Sequence, residues 1–226
     1  MDNTPQRWQT FIDGSLYDDV DAPWCDDSAF ATLREFPGLR DCIGGRIADA
    51  LTQAIGLVRA MTQVDLLSIV QAHPRPQGLC LGFGMNALEP YDLLQVFSLA
   101  RVHGYEWIGE HVVEAAQTLA ALFKGDPSLP ERIRLHHGTI SDLSALSDHS
   151  IHVVYVGNVF THEIPMTQET FTQTITEIVR VLDDSGVLLS RGSSGALEAA
   201  LHRAGKLLLH DPLISVFQRQ KRTAGG

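Results

Sequence analysis

From residue 78 onward, short β-rich runs alternate with longer stretches of helical spacing, and this alternation constrains the fold more than any other feature. The runs are residues 78–82, 105–110, 132–136, 151–157 and 186–190. Between them, 87–102, 111–123 and 168–182 repeat apolar residues at about i, i+3, i+4 and i+7, the stripe of one helix face. Phe171, Ile175, Ile178, Val179 and Leu182 form such a stripe, and Asp183-Asp184-Ser185-Gly186 is expected to stop that helix and turn the chain into the next strand. Repeated strand–helix–strand units with apolar strands predict a parallel sheet covered by helices on both faces. Residues 194–204 read as one more helix. Two short strands, 206–210 and 214–219, follow around Asp211-Pro212, too close together for a helical crossover, so they are antiparallel or lie apart.

The first 75 residues differ. They hold helical patterns at 45–60 and 61–72 and no clear strand, and His73-Pro74-Arg75-Pro76-Gln77-Gly78 punctuates the change. The expected organisation is an N-terminal helical cap over 1–75 and an α/β domain over 76–226. A chain of 226 residues buries enough surface to need neither disulfide nor structural metal. Cys25, Cys42 and Cys80 are scattered and read as reduced thiols of a cytoplasmic protein. No basic, apolar leader opens the chain, and no apolar run reaches the ~18 residues of a membrane span. The net charge of −10 argues against sequence-independent binding of nucleic acid. Self-association into a homo-oligomer stays open.

Within Leu79-Cys80-Leu81-Gly82-Phe83-Gly84-Met85-Asn86-Ala87 a strand runs into a Gly-x-Gly turn and then a helix. Glycine lets backbone approach a ligand, and a helix N-terminus offers free N–H groups, so this is where an open α/β sheet binds a nucleotide-like ligand. Glu110, at the expected end of the second strand, is placed to accept both hydroxyls of a ribose. His136 and His137 are adjacent on a strand and point to opposite faces. No Cys/His cluster has zinc spacing, so no metal is expected.

Several motifs resemble class I S-adenosylmethionine-dependent methyltransferases, in particular the small-molecule branch that includes quinone-biosynthesis C-methyltransferases. Gly138-Thr139-Ile140-Ser141-Asp142-Leu143, followed by Ser147-Asp148-His149-Ser150-Ile151-His152-Val153-Val154-Tyr155, is similar to that family's Gly-Asp-Ala-x-Asp-Leu … Pro-Asp-x-Ser-Phe-Asp-Val-Val. Asn158-Val159-Phe160-Thr161-His162 resembles its His/Asn-Val-Leu-x-His, and Glu177-Ile178-Val179-Arg180-Val181-Leu182 its Glu-Ile-x-Arg-Val-Leu. The resemblance implies a Rossmann-like sandwich: a mostly parallel seven-stranded sheet, helices on both faces and a C-terminal antiparallel strand pair. It implies S-adenosylmethionine as cofactor, S-adenosylhomocysteine as product and a small-molecule acceptor. Carried over, Gly82, Gly84 and Asn86 hold the methionine part, Glu110 the ribose, Thr139 and Ile140 border the adenine, and Asn158 lies under the sulfonium.

The sequence departs from the family pattern at four places. The first-strand Asp is Cys80, the third glycine is Asn86, and the acid at the adenine is Thr139. Measured from Glu110, the family's Asp-x-Ser-x-x-Met-Leu stretch lacks about three residues. Methyl transfer asks mainly for alignment, with a base where the nucleophile must lose a proton. His162, beside Glu163 in the loop after the fourth strand, is the expected catalytic base. Glu89-Pro90-Tyr91 resembles the Glu-Pro-Tyr of chemotaxis-receptor methyltransferases, whose basic recognition region has no counterpart here. Two other readings compete: a degenerate relative acting as a binding partner or scaffold, and a nicotinamide-dependent dehydrogenase on the Gly-x-Gly-x-x-Ala pattern. The latter places its ribose acid ~20 residues past the turn, short of Glu110.

Overall fold

The computed structural model describes residues 46–85, 87–122, 128–160, 166–192, 195–210 and 214–220. Seven strands form one sheet: β1 (Gln77–Leu81), β2 (Arg101–Glu106), β3 (Ile133–His137), β4 (Ile151–Gly157), β5 (Leu182–Arg191), β6 (Gly205–His210) and β7 (Ser215–Arg219), in the order β3-β2-β1-β4-β5-β7-β6. Strands β1 to β5 are parallel, and β7 runs antiparallel to both β5 and β6. The helices are α1 (Ala48–Thr62), α2 (Leu66–Gln71), α3 (Leu88–Val96), α4 (Gly109–Leu122), the single turn α5 (Leu129–Arg132), α6 (Gln168–Val181) and α7 (Gly195–His202). The expected mostly parallel seven-stranded sandwich with a closing antiparallel pair is the observed fold.

Alternation along each strand builds two cores. Cys80, Val102, Val153, Tyr155, Val187 and Leu189 face one side and meet Leu51, Val58, Leu66, Leu93 and Ala115 of the helices α1 to α4. Leu79, Leu81, Val154, Val156 and Leu188 face the other and meet Phe171, Ile175, Ile178, Leu197 and Leu201 of α6 and α7. The apolar stripe read in 168–182 is the buried face of α6, whose start is capped by Thr167 accepting from Thr170 N. Residues 1–45 of the expected cap lie outside the described residues. Its remainder, α1 and α2, packs in the same core as β1 and β4.

Two boundaries differ from the expectation. The helix expected over 87–102 ends at Val96, and β2 begins at Arg101 and stops at Glu106. Ser98 turns the chain in the left-handed region (φ 51°), a break that apolar spacing does not encode. The expected turn at 183–186 lies inside β5, where pairing with β4 jumps from Ile151↔Leu182 to Val153↔Val187. Asp183 Oδ1 accepts from Ser185 N and Oγ and holds that irregularity in place.

Candidate functional site

The carboxyl ends of β1, β2 and β4 come together around the glycine turn. Gly82 and Gly84 both adopt left-handed backbone (φ 67° and 58°). A Cβ at Gly82 would collide with the Val159 side chain from the loop after β4, so this position demands glycine for both conformation and space. Cys80, one strand position earlier than Leu81, is fully buried, and burial with Glu89 and Glu106 nearby pushes its thiol pKa up. It packs as a small apolar residue.

The acid that ends β2 is Glu106, not Glu110. Glu110 stands exposed in the first turn of α4, because the strand starts and ends four residues earlier than expected. Glu106 is 4% exposed. Its Oε2 accepts from Gly84 N at 2.9 Å and its Oε1 from Ile108 N at 3.0 Å, so one carboxylate ties the glycine turn to the start of α4. His111 Nδ1 lies 3.8 Å from Oε1 and is buried with no hydrogen-bond partner among the described residues. Measured from Glu106 to Val112, the Asp-x-Ser-x-x-Met-Leu stretch has its full seven positions, and the apparent deletion disappears. That full length was the available signal for Glu106.

The other expected residues are distributed around this centre. Asn158 follows β4 in left-handed backbone (φ 56°) and donates its N–H to Arg191 O at 2.9 Å, joining the ends of β4 and β5. Thr139 is exposed after β3, with its hydroxyl 2.8 Å from Ser141 Oγ. Ile140 is half-buried against the second core. Asn86 and His162 lie outside the described residues. His136 and His137 do diverge: His136 stacks on Tyr105 at 4.6 Å and meets His103 Nδ1 at 3.1 Å, whereas His137 Nε2 meets Trp107 O at 3.0 Å.

Among the described residues one group has the makings of a metal cluster. It consists of His73, His152 and Asp183, with donor atoms within 4.8 Å of one another. It lies at the amino ends of β4 and β5, opposite the glycine turn. His152 Nδ1 accepts the Gln77 N–H at 3.0 Å. A neutral imidazole accepting there carries its proton on Nε2, so His152 offers this group a donor rather than a lone pair. No helix among the described residues is long and apolar enough to cross a membrane.

Residues 79–190 match the model of a family described as "Methyltransferase domain". No curated protein matches the sequence. Among solved structures, an rRNA methylase from Streptococcus thermophilus is similar at 13% identity and TM-score 0.50, over 74% of this chain and 97% of its own. A chain of the complex between the Haloferax volcanii Trm112 methyltransferase activator and a methyltransferase is similar at 14% identity and TM-score 0.51, over 78% of this chain and 96% of that one. A geranyl diphosphate methyltransferase in complex with GPP and sinefungin is similar at 12% identity and TM-score 0.42 over 55% of this chain, which spans 42% of that protein's length. The match over residues 79–190 falls on the part of the sheet from β1 to β5, and the fold is shared with the rRNA methylase and with the chain of the Trm112 complex. The exclusion of nucleic acid expected from charge finds no support in the fold, which an rRNA methylase shares.

Proposed function

We propose that this chain binds S-adenosylmethionine at the glycine turn and transfers its methyl group to a small-molecule acceptor, releasing S-adenosylhomocysteine. One observation carries the reading: two left-handed glycines after β1 meet a buried carboxylate at the end of β2 through the Gly84 N–H. The residues present fit the cofactor. Glu106 uses two of the ~four lone-pair sites of a carboxylate on backbone N–H groups, leaving acceptors for ribose hydroxyls. His111 Nδ1, beside the carboxylate at 3.8 Å and with no hydrogen bond among the described residues, is a further polar atom for the same group.

When bound, the cofactor supplies a methyl carbon made electrophilic by the adjoining sulfonium. The protein's part is positioning. Gly82 and Gly84 let the turn approach the methionine portion with Asn86, Glu106 takes the role first expected of Glu110, Thr139 and Ile140 border the base, and Asn158 lies under the sulfonium. Holding nucleophile and methyl in line removes the entropic share of the barrier. For an acceptor that must lose a proton, His162 is the assigned base on sequence grounds. Residues 1–75 are assigned to acceptor choice and 76–226 to cofactor binding. The surplus of 10 negative charges favours a small acceptor over a polyanion, and the motif resemblance implies one of the kind used in quinone biosynthesis. The reduced cysteines favour a cytoplasmic setting. The buried Cys80 at the family's acidic position favours the competing reading, a degenerate relative that serves as a binding partner.

Calorimetric titration separates them. The folded protein is expected to bind S-adenosylmethionine and S-adenosylhomocysteine with micromolar affinity and to ignore NAD. Glu106→Gln, which keeps the shape and one acceptor, is expected to weaken both by about tenfold or more, worth ~1.4 kcal/mol. Absence of binding by the folded wild type overturns the methyltransferase reading in favour of the partner role.

A further inference from the structure

Three elements converge on Gly157, the last residue of β4. Glu89 stands in the first turn of α3, and Arg191 closes β5 beside Gly157 in register. A Cβ added to Gly157 would fall 3.2 Å from Glu89 Oε2 and 3.1 Å from Tyr155 Oη. The space over Gly157 is bounded by the Glu89 carboxyl and the Tyr155 phenol, and the Arg191 side chain interacts with both, at the same end of the sheet as Gly82 and Asn158. Tyr155 is 1% exposed, and its buried hydroxyl faces the Arg191 side chain. Cys80 pairs with Tyr155 in register, and Glu89 is close enough to help raise the Cys80 thiol. The strand acid missing at Cys80 thus has a carboxyl neighbour supplied from α3.

We propose that Glu89 and Arg191 are the two halves of a subsite for an α-amino-acid head group, the Glu89 carboxyl taking its ammonium and the Arg191 guanidinium its carboxylate. The proposal rests on the cofactor reading, since S-adenosylmethionine ends in such a head, and assigns residues to that end. A zwitterion calls for opposite charges side by side, and the planar fork of arginine matches a carboxylate with two parallel donors. Tyr155 Oη is a further polar atom at the same point.

Glu89 also gives binding a proton signature. Burial pushes its carboxyl up to about 8, with Asp92 adding and Arg191 opposing. Tyr155 and Cys80 are the other titratable groups facing it. At pH 7 Glu89 is mostly protonated, and an ammonium beside it favours the ionised form, so binding the head group releases a proton.

The test compares S-adenosylhomocysteine with 5′-methylthioadenosine, which keeps the nucleoside and sulfur but lacks the head. Calorimetry at pH 7 in two buffers of different ionisation heat reads both affinity and protons. Wild type is expected to prefer S-adenosylhomocysteine by at least about 30-fold and to release nearly one proton on binding it, and none with methylthioadenosine. Glu89→Gln and Arg191→Gln are each expected to weaken S-adenosylhomocysteine about tenfold or more while leaving methylthioadenosine within about twofold, and Glu89→Gln abolishes the proton release. Arg191 is exposed, so its variant keeps the test alive if Glu89→Gln fails to fold. Equal weakening of the two ligands, or no weakening of S-adenosylhomocysteine, overturns the subsite and leaves the cofactor reading standing. Failure of folded wild type to bind either ligand overturns the cofactor reading, and the subsite with it.

Discussion

Asp92 shows how much one buried side chain organises at the residue scale. Its carboxylate is fully buried in α3. It accepts from Ile47 N at 2.8 Å and Ala48 N at 3.1 Å, and receives the Arg46 guanidinium at 2.7 and 2.9 Å. It therefore caps the start of α1 from another element, a service the local N-cap Ile47 cannot perform with an apolar side chain. Asp92→Ala leaves two N–H groups without acceptors and is expected to cost about 1–3 kcal/mol. A lowered urea midpoint with unchanged slope checks this. A midpoint equal to wild type contradicts the capping role. From sequence, Asp92 follows Glu89-Pro90-Tyr91 as one more polar residue of a helix. Nothing in the spacing announces a partner 45 residues away, because such pairing is set by how α1 crosses α3.

At the scale of elements, the glycine turn was legible because its signal is local: β-rich residues, two glycines, then helical spacing. Residue type points to Glu110 rather than Glu106 because the true start of β2, Arg101-Val102-His103-Gly104, carries few β-branched residues and hides the first four residues of the strand. The chain between β3 and β4 gave no helix from sequence, and the structure shows what holds it instead. Arg180 of α6 donates to Leu143 O at 2.9 Å and Leu146 O at 3.0 Å and pairs with Asp148 and Glu177. Glu177 in turn accepts from Leu143 N at 2.9 Å. The guanidinium beside it holds the Glu177 carboxyl below its ordinary range. Arg180→Met is expected to ease opening of this connection by about 2 kcal/mol, seen as roughly 30-fold faster amide exchange at Leu143 and Leu146 with the sheet amides unaffected. Uniformly faster exchange over the sheet points to global destabilisation and contradicts a local pin. The Glu89–Gly157–Arg191 meeting was beyond reading, since its members come from three elements joined only by sheet order.

Over the whole molecule, buried titratable groups pull stability in opposite directions as pH changes. His103 is pushed down to about 4 by burial and by neighbouring His136, and burial also lowers His136 and His152. Each stays neutral when folded yet takes up a proton at ~6.5 when unfolded, so their contribution is complete above ~6.5 and is lost as pH falls toward their folded values. Asp183 and Glu177, lowered in the fold, add a further loss below ~4. Glu89 acts in the other sense. Folded, it keeps its proton up to about 8, whereas unfolded it loses it near ~4.3, so stability falls as pH rises between those values. Below ~6.5 the three histidines outnumber Glu89; above it Glu89 acts alone until about pH 8, where the unfolded Cys80 thiol begins to ionise while burial keeps the folded one protonated. Stability of the ligand-free protein is therefore expected to peak near pH ~6.5 and to decline toward pH ~8 with a slope approaching one proton. Urea titrations across pH 5 to 8 read both limbs. Glu89→Gln is expected to flatten the alkaline limb alone, and His103→Gln to shallow the acid limb alone. An alkaline limb that survives Glu89→Gln contradicts a protonated Glu89 over Gly157. Saturating S-adenosylhomocysteine should flatten the same limb in wild type, because an ammonium at Glu89 replaces the proton that the empty site retains.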